Sequence, residues 1–192
     1  ELAQRRRAAG VSNRELCDAI GIQQPCTFYS WEKGVSRPTV PHFEAYLRAV
    51  GADSLLARLE GPEGLKGLSG AELNQIAEQI RTAIIATTAV TGGHLGPSLG
   101  VVELTIALHH VMASPVDRIV FDTGHQAYPH KLLTGRLARF GTLRQLGGIG
   151  GFPRRTESPH DVFDGGHAGT GISIGQGLAL ARDVLRQVAV LV

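Results

Sequence analysis

Apolar positions in the first third of the chain come in short helical periods separated by glycine. Leu2 to Ala9 reads as one helix, closed at Gly10. Ser12-Asn13-Arg14-Glu15 has the form of a capping box, which predicts a helix to Ile20 that stops at Gly21. Further helices are expected over Pro25–Lys33, His42–Val50 and Asp53–Leu59, making a small all-helical bundle across residues 1–60. Residues 61–68 are rich in glycine, include a proline, and read as a linker. The pattern then changes. A second capping box, Ser69-Gly70-Ala71-Glu72, opens a long amphipathic helix to about Thr91. A glycine loop (Gly92–Gly100) and an apolar helix (Val101–Met112) follow. Arg118–Asp122 and Val188–Val192 read as buried strands, with a helix over Thr170–Gln187 leading into the second. Strands separated by helices predict a parallel sheet covered on both faces, so the fold class expected for residues 69–192 is α/β.

Composition narrows the partners only slightly. Hydrophobic residues are 43% of the 192 and charged residues 19%, which excludes disorder over most of the length. The net charge of +2 is too small to announce a nucleic-acid binder. Two cysteines, Cys17 and Cys26, cannot build a disulfide framework or a four-cysteine zinc site, and a reducing cytoplasm is the simplest setting. No apolar run approaches the roughly 20 residues of a membrane span.

Candidate chemistry concentrates in three glycine–histidine clusters: Gly92–Gly100 around His94, Asp122–Lys131 around His125, and Gly165–Gly171 around His167. Glycine lets backbone approach a ligand, and loops at strand ends and helix starts are where α/β sheets bind phosphate. Histidine donates to phosphate oxygens or moves protons near neutral pH. One such cluster alone is usually structural. His109 and His110 lie on a helix and read as packing or surface residues. His125 and His130 have only a loose zinc-like spacing, with no cysteine beside them, so no metal ligand is assigned among these residues.

In order, the clusters are far more specific. Gly93-His94, Val102–His109, the string Asp122-Thr123-Gly124-His125-Gln126-Ala127-Tyr128-Pro129-His130-Lys131 and Leu133-Thr134-Gly135-Arg136 resemble the 1-deoxy-D-xylulose-5-phosphate synthase family. So do Thr142–Gln145, Gly151-Phe152-Pro153, Glu157-Ser158 and Gly166-His167, and the resemblance runs through residues 65–192. It implies the first portion of a thiamine-diphosphate-binding domain, in an enzyme that condenses pyruvate with D-glyceraldehyde 3-phosphate and releases carbon dioxide. It also implies a homodimer. Carried over by motif, His94 is the active-site histidine, while His125 and Gly166-His167-Ala168 contact thiamine diphosphate. Ala168 stands where the family has serine, so a hydroxyl contact is lost there. Mg²⁺ ligands and the activating glutamate are expected beyond Val192, and the chain by itself is expected to be an inactive fragment.

Residues 2–50 resemble the Cro/repressor-like helix-turn-helix class, through Arg6–Ser12, Glu15-Leu16, Ala19–Ile22 and Trp31-Glu32-Lys33-Gly34. That resemblance implies base or phosphate contacts from Gln23, Gln24, Thr27, Ser30 and Lys33. The turn and third helix run one residue longer than the class pattern. The competing function is therefore a DNA-binding regulator carrying a synthase-like sensor or remnant.

Overall fold

The computed structural model describes residues 3, 6–7, 9–23, 30, 32, 45, 54–185 and 189–191. They fall into two compact units, residues 1–55 and 56–192.

In the first unit, α1 spans Asn13–Ile20. Its capping box forms as the sequence predicts: Glu15 N–H donates to Ser12 Oγ at 3.3 Å, and Ser12 N–H to Glu15 Oε2 at 2.9 Å. Gly21 closes the helix in a left-handed conformation. Leu16, Cys17 and Ile20 form its buried stripe. An Arg6–Glu32 ion pair of 2.6 Å, with both side chains largely buried, ties residues 26 apart in sequence. The helices expected over Pro25–Lys33 and His42–Val50 lie largely outside the described residues, as do Gln24, Thr27 and Lys33.

The second unit begins within a short helix, α2 (Leu55–Arg58), whose Leu56 is buried. The segment read as a linker is packed instead. Pro62–Leu65 forms a 3₁₀ turn with Leu65 fully buried, and it lies against α5 (Val102–Val111). His110 Nδ1 meets the Leu65 carbonyl at 2.9 Å, which holds the turn in place. Burial of Pro62 and Leu65 supplies the apolar contact that keeps this segment part of the unit.

The second capping box opens α3 over Gly70–Thr91. Ile76, Ile80, Ile84 and Thr87 recur every three or four residues on its buried face. That face packs on α5, whose Val102, Thr105, Ile106 and His109 form the matching stripe. An Arg81–Glu103 ion pair joins the two helices at the surface. The expected glycine loop contains a short helix, α4 (Leu95–Leu99). Leu95–Leu99 supplies enough non-glycine positions for one turn, and Ser98 is buried within it.

Strand β1 (Arg118–Val120) pairs in parallel with β2 (Ala189–Leu191), in the register Arg118↔Ala189 and Val120↔Leu191. The described residues are thus mostly helical, with one two-stranded parallel ladder. Strand β1 is three residues, shorter than the predicted five, because the chain after Val120 turns at once into a loop. Ile119, Phe121 and Ala127 make a small core with Leu108 of α5. After β1 comes α6 (Tyr128–Lys131), continued by a π-type turn (Leu132–Arg136) and a 3₁₀ turn (Leu137–Thr142). The helix α7 (Gly171–Leu185) leads towards β2. No helix among the described residues is long and apolar enough to cross a membrane.

Candidate functional site

The three glycine–histidine clusters meet around the loop that follows β1. His94 occupies the N-cap position of α4, directly after Gly93. Its ring lies edge-on to that of His125, with centroids 5.5 Å apart, and to Phe152 at 5.2 Å. Ser98 of α4 donates its hydroxyl to the His125 carbonyl at 3.2 Å, joining the first cluster to the second. The third cluster is joined to the second through backbone. Gly166 N–H donates to the Thr123 carbonyl at 3.0 Å, and Gly169 N–H to Asp122 Oδ1 at 3.0 Å. Gly165 N–H reaches the Pro153 carbonyl at 3.0 Å. Gly166, His167 and Ala168 are exposed on this loop.

Two features make the site suited to a polar ligand. Nδ1 of His125 is closed off from solvent and meets no hydrogen-bond partner among the described residues. Such an atom calls for a polar partner. Gly166 has φ of +134°, a conformation that residues with a Cβ avoid, and its added Cβ would touch only Phe152 at 3.9 Å. Backbone curvature rather than crowding therefore demands glycine there. The His94 imidazole is held below its ordinary pKa by burial first, then by the nearby His125 and Arg144 charges, so at neutral pH it is mainly uncharged. No group of three His, Cys, Asp or Glu side chains able to hold a metal occurs among the described residues.

Behind the site lies a second histidine assembly that the sequence did not announce. His109 Nε2 and His130 Nδ1 are 2.8 Å apart, with stacked rings, and His130 Nε2 lies 3.0 Å from Asp161 Oδ1. Arg136 grips Asp161 through both guanidinium nitrogens, at 2.8 and 3.0 Å. Lys131 Nζ donates to Glu157 Oε2 at 2.6 Å, and Glu157 accepts from Gly150 N–H at 2.7 Å. Arg154 N–H also donates to Asp161, at 2.7 Å. Burial would raise the Asp161 carboxyl, but His130 and Arg136 overrule it and hold the group ionised. Burial keeps both histidines neutral, pushing His109 down to about 2. With Asp161 ionised, His130 donates from Nε2 and accepts at Nδ1, so His109 must donate from Nε2. Only one arrangement of protons satisfies this row.

Of the residues chosen from sequence, His94 and His125 are brought together and Gly166 is bonded to the same loop. His109 is fully buried, in keeping with its reading as a packing residue. Gln23 is exposed after α1, and Ser30 is helical and partly buried. Sequence reasoning missed Tyr128, Phe152, Arg136 and Asp161. Tyr128 and His130 lie inside the distinctive string with His125, so that string was the available signal. Asp161 had none.

The profile of the 1-deoxy-D-xylulose-5-phosphate synthase family matches residues 56–192. A 1-deoxy-D-xylulose-5-phosphate synthase from Syntrophotalea carbinolica is 66% identical over 130 residues, covering 68% of this chain and 20% of the relative. Synthase 2 of Geobacter sulfurreducens is 63% identical over 130 residues, with 68% and 21% covered. A probable chloroplastic synthase 2 of Oryza sativa subsp. japonica is 54% identical over 134 residues, with 70% and 19% covered. The chain spans about a fifth of the length of these curated relatives.

Proposed function

The chain belongs to the 1-deoxy-D-xylulose-5-phosphate synthase family, and from that premise we propose that it is the N-terminal part of a thiamine-diphosphate-dependent transferase. The complete enzyme would join pyruvate to D-glyceraldehyde 3-phosphate, release carbon dioxide and form 1-deoxy-D-xylulose 5-phosphate. What carries the reading is the convergence of His94, His125 and the Gly165–Gly169 loop on the segment after β1, the C-terminal end of a parallel strand.

Thiamine diphosphate supplies an electron sink for the carbanion chemistry. His125 and the backbone of Gly166, His167 and Ala168 would hold it, the closed-off Nδ1 and the open glycine backbone being suited to a polar heterocycle and its phosphates. Ala168 contributes backbone only. His94, mainly neutral, orients the donor substrate or supplies a proton. Among the described residues no group of three side chains could hold Mg²⁺, so its ligands and the group that activates the cofactor are assigned to the rest of the enzyme, of whose relatives this chain spans about a fifth. We read residues 69–192 as the beginning of the α/β cofactor domain and the assembled enzyme as a homodimer. The exposed Ile172 and Leu180 of α7 await covering by such additional structure.

The first unit is read as a helix-turn-helix bundle, on the capped α1, its left-handed Gly21 terminus and the Arg6–Glu32 tie. No observation among the described residues favours the DNA-binding regulator, and we do not adopt it.

A chimera tests the proposal. Residues 61–192 replace the matching segment of the Syntrophotalea carbinolica protein, and pyruvate-dependent carbon dioxide release and product formation are measured. Turnover that His94→Gln removes is the expected result. A folded chimera without turnover overturns it.

A further inference from the structure

Tyr128 is fully buried, yet its hydroxyl reaches the site. Its oxygen lies 3.1 Å from the backbone nitrogen of His94 and 3.4 Å from His94 Nδ1. A backbone N–H can only donate, so the phenol oxygen accepts from it. That leaves the phenolic proton to be placed. If Nδ1 also donated to this oxygen, the proton of a fully buried hydroxyl would have no acceptor, a loss of about 1–3 kcal/mol. The satisfying arrangement has the hydroxyl donating to Nδ1, which then carries no proton.

The surroundings make this contact a built feature. The backbone at Gly93 has φ of +140°, and an added Cβ would come 2.6 Å from the Tyr128 hydroxyl, so residue 93 must be glycine for the hydroxyl to enter. Phe140 packs edge-on against the tyrosine ring, at 6.0 Å between centroids. The neighbours of Tyr128 on α6 are anchored independently, His130 to Asp161 and Lys131 to Glu157. The ring therefore sits on a turn fixed from behind and presents its hydroxyl forwards.

We propose that Tyr128 is a positioning residue that fixes the tautomer of His94, so that His94 presents an Nε2–H, a donor, to a carbonyl or oxyanion of the bound substrate. Nε2 is on the far side of the ring from the tyrosine. In this state His94 cannot act first as a base through Nε2; it donates a hydrogen bond or a proton to oxygen. The proposal rests on the reading of His94 as the substrate-facing histidine, but the tautomer can be measured without cofactor or turnover.

The experiment is nitrogen NMR of the full 192-residue chain labelled with ¹⁵N-histidine, with His94 assigned by its loss in His94→Gln. Protonated and unprotonated ring nitrogens are distinguished directly by their shifts and couplings. In the unaltered protein the expected result is a protonated Nε2 and an unprotonated Nδ1 at neutral pH. In Tyr128→Phe, which keeps the ring and its packing, the tautomer ratio of His94 falls by roughly two- to tenfold, the equivalent of one net hydrogen bond. Its titration also moves to higher pH, because a hydroxyl donating to Nδ1 favours the neutral ring, as burial and the charges of His125 and Arg144 do, and its loss removes one of these supports. A protonated Nδ1 in the unaltered protein overturns the proposal, whether or not the variant folds. So does an unchanged ratio in a folded Tyr128→Phe. An inactive chimera with the expected tautomer would defeat the functional reading and the substrate-facing role of Nε2, and leave only the positioning of the His94 tautomer by Tyr128 standing.

Discussion

Two groups of histidines lie near one another in sequence and differ in almost every physical respect. His109 and His130 are shut inside the second unit, stacked on each other and joined to Asp161, whose other lone pairs are taken by Arg136 and Arg154. His94 is only partly covered and His167 is exposed, on loops built around glycines of positive φ. Inside, both carboxylate oxygens of Asp161 and both ring nitrogens of His130 have partners, while His109 Nδ1, at the end of the row, meets none among the described residues, so proton positions along the row are dictated. At the site, one nitrogen of His125 also has none, and it lies beside exposed glycine loops. A row of paired charges suits a scaffold, and an unpartnered nitrogen next to open backbone suits a ligand.

The comparison is broken most forcefully at Asp161. Asp161→Ala leaves the Arg136 charge buried without a counter-charge, and an equilibrium urea titration is expected to show a loss of about 3–5 kcal/mol. A loss below about 1 kcal/mol would mean the inner network is not a scaffold.

Acid should act on the same network. The folded-state pKa values of His109 and His130 lie below the ordinary value of about 6.5, which the unfolded chain recovers. As pH falls, the unfolded chain takes up protons first. Stability contributed by these histidines is complete above about pH 6.5 and declines below it, by up to about 1.4 kcal/mol per pH unit for each. The depressed Asp161 pKa adds a further loss only once pH drops below about 3.9. Urea midpoints from pH 8 to 4 check this. A flat profile would place the histidines in contact with solvent.

Gly93→Ala strikes the junction between the regions. Strained backbone and a displaced Tyr128 hydroxyl are expected to lower stability by about 1–3 kcal/mol in thermal unfolding and to alter the His94 nitrogen spectrum with it. The smallest stability effect is expected at His167→Ala, within about 0.5 kcal/mol, because the residue is exposed. In the chimera, however, the same change should weaken thiamine diphosphate binding about tenfold by titration calorimetry, the equivalent of one good hydrogen bond. A destabilised His167→Ala with unchanged binding would reverse the assignment of the two regions.

Much of this was legible without coordinates. Both capping boxes form where Ser12 and Ser69 predicted them, since a cap joins residues three apart and needs no other part of the chain. The glycine–histidine clusters were visible as motifs, and their order carried the family resemblance. The packing of segment 61–68 was not legible, because glycine and proline mark a linker or turn whether or not it is packed. The length of β1 was overread because an apolar run continues past the last ladder bond, with Phe121 buried beyond it.

The amino-acid sequence by itself determined the local events: helix starts, the left-handed Gly21 terminus of α1, the apolar stripes of α3 and α5, and the residue types available for chemistry. Tertiary structure alone decided the pairings. Asp161 reaches His130 across 31 positions, and Tyr128 reaches His94 across 34. Neither pair has a periodicity or spacing to betray it. Such partners are selected when packing of whole helices excludes water and leaves each buried polar group one remaining way to be satisfied.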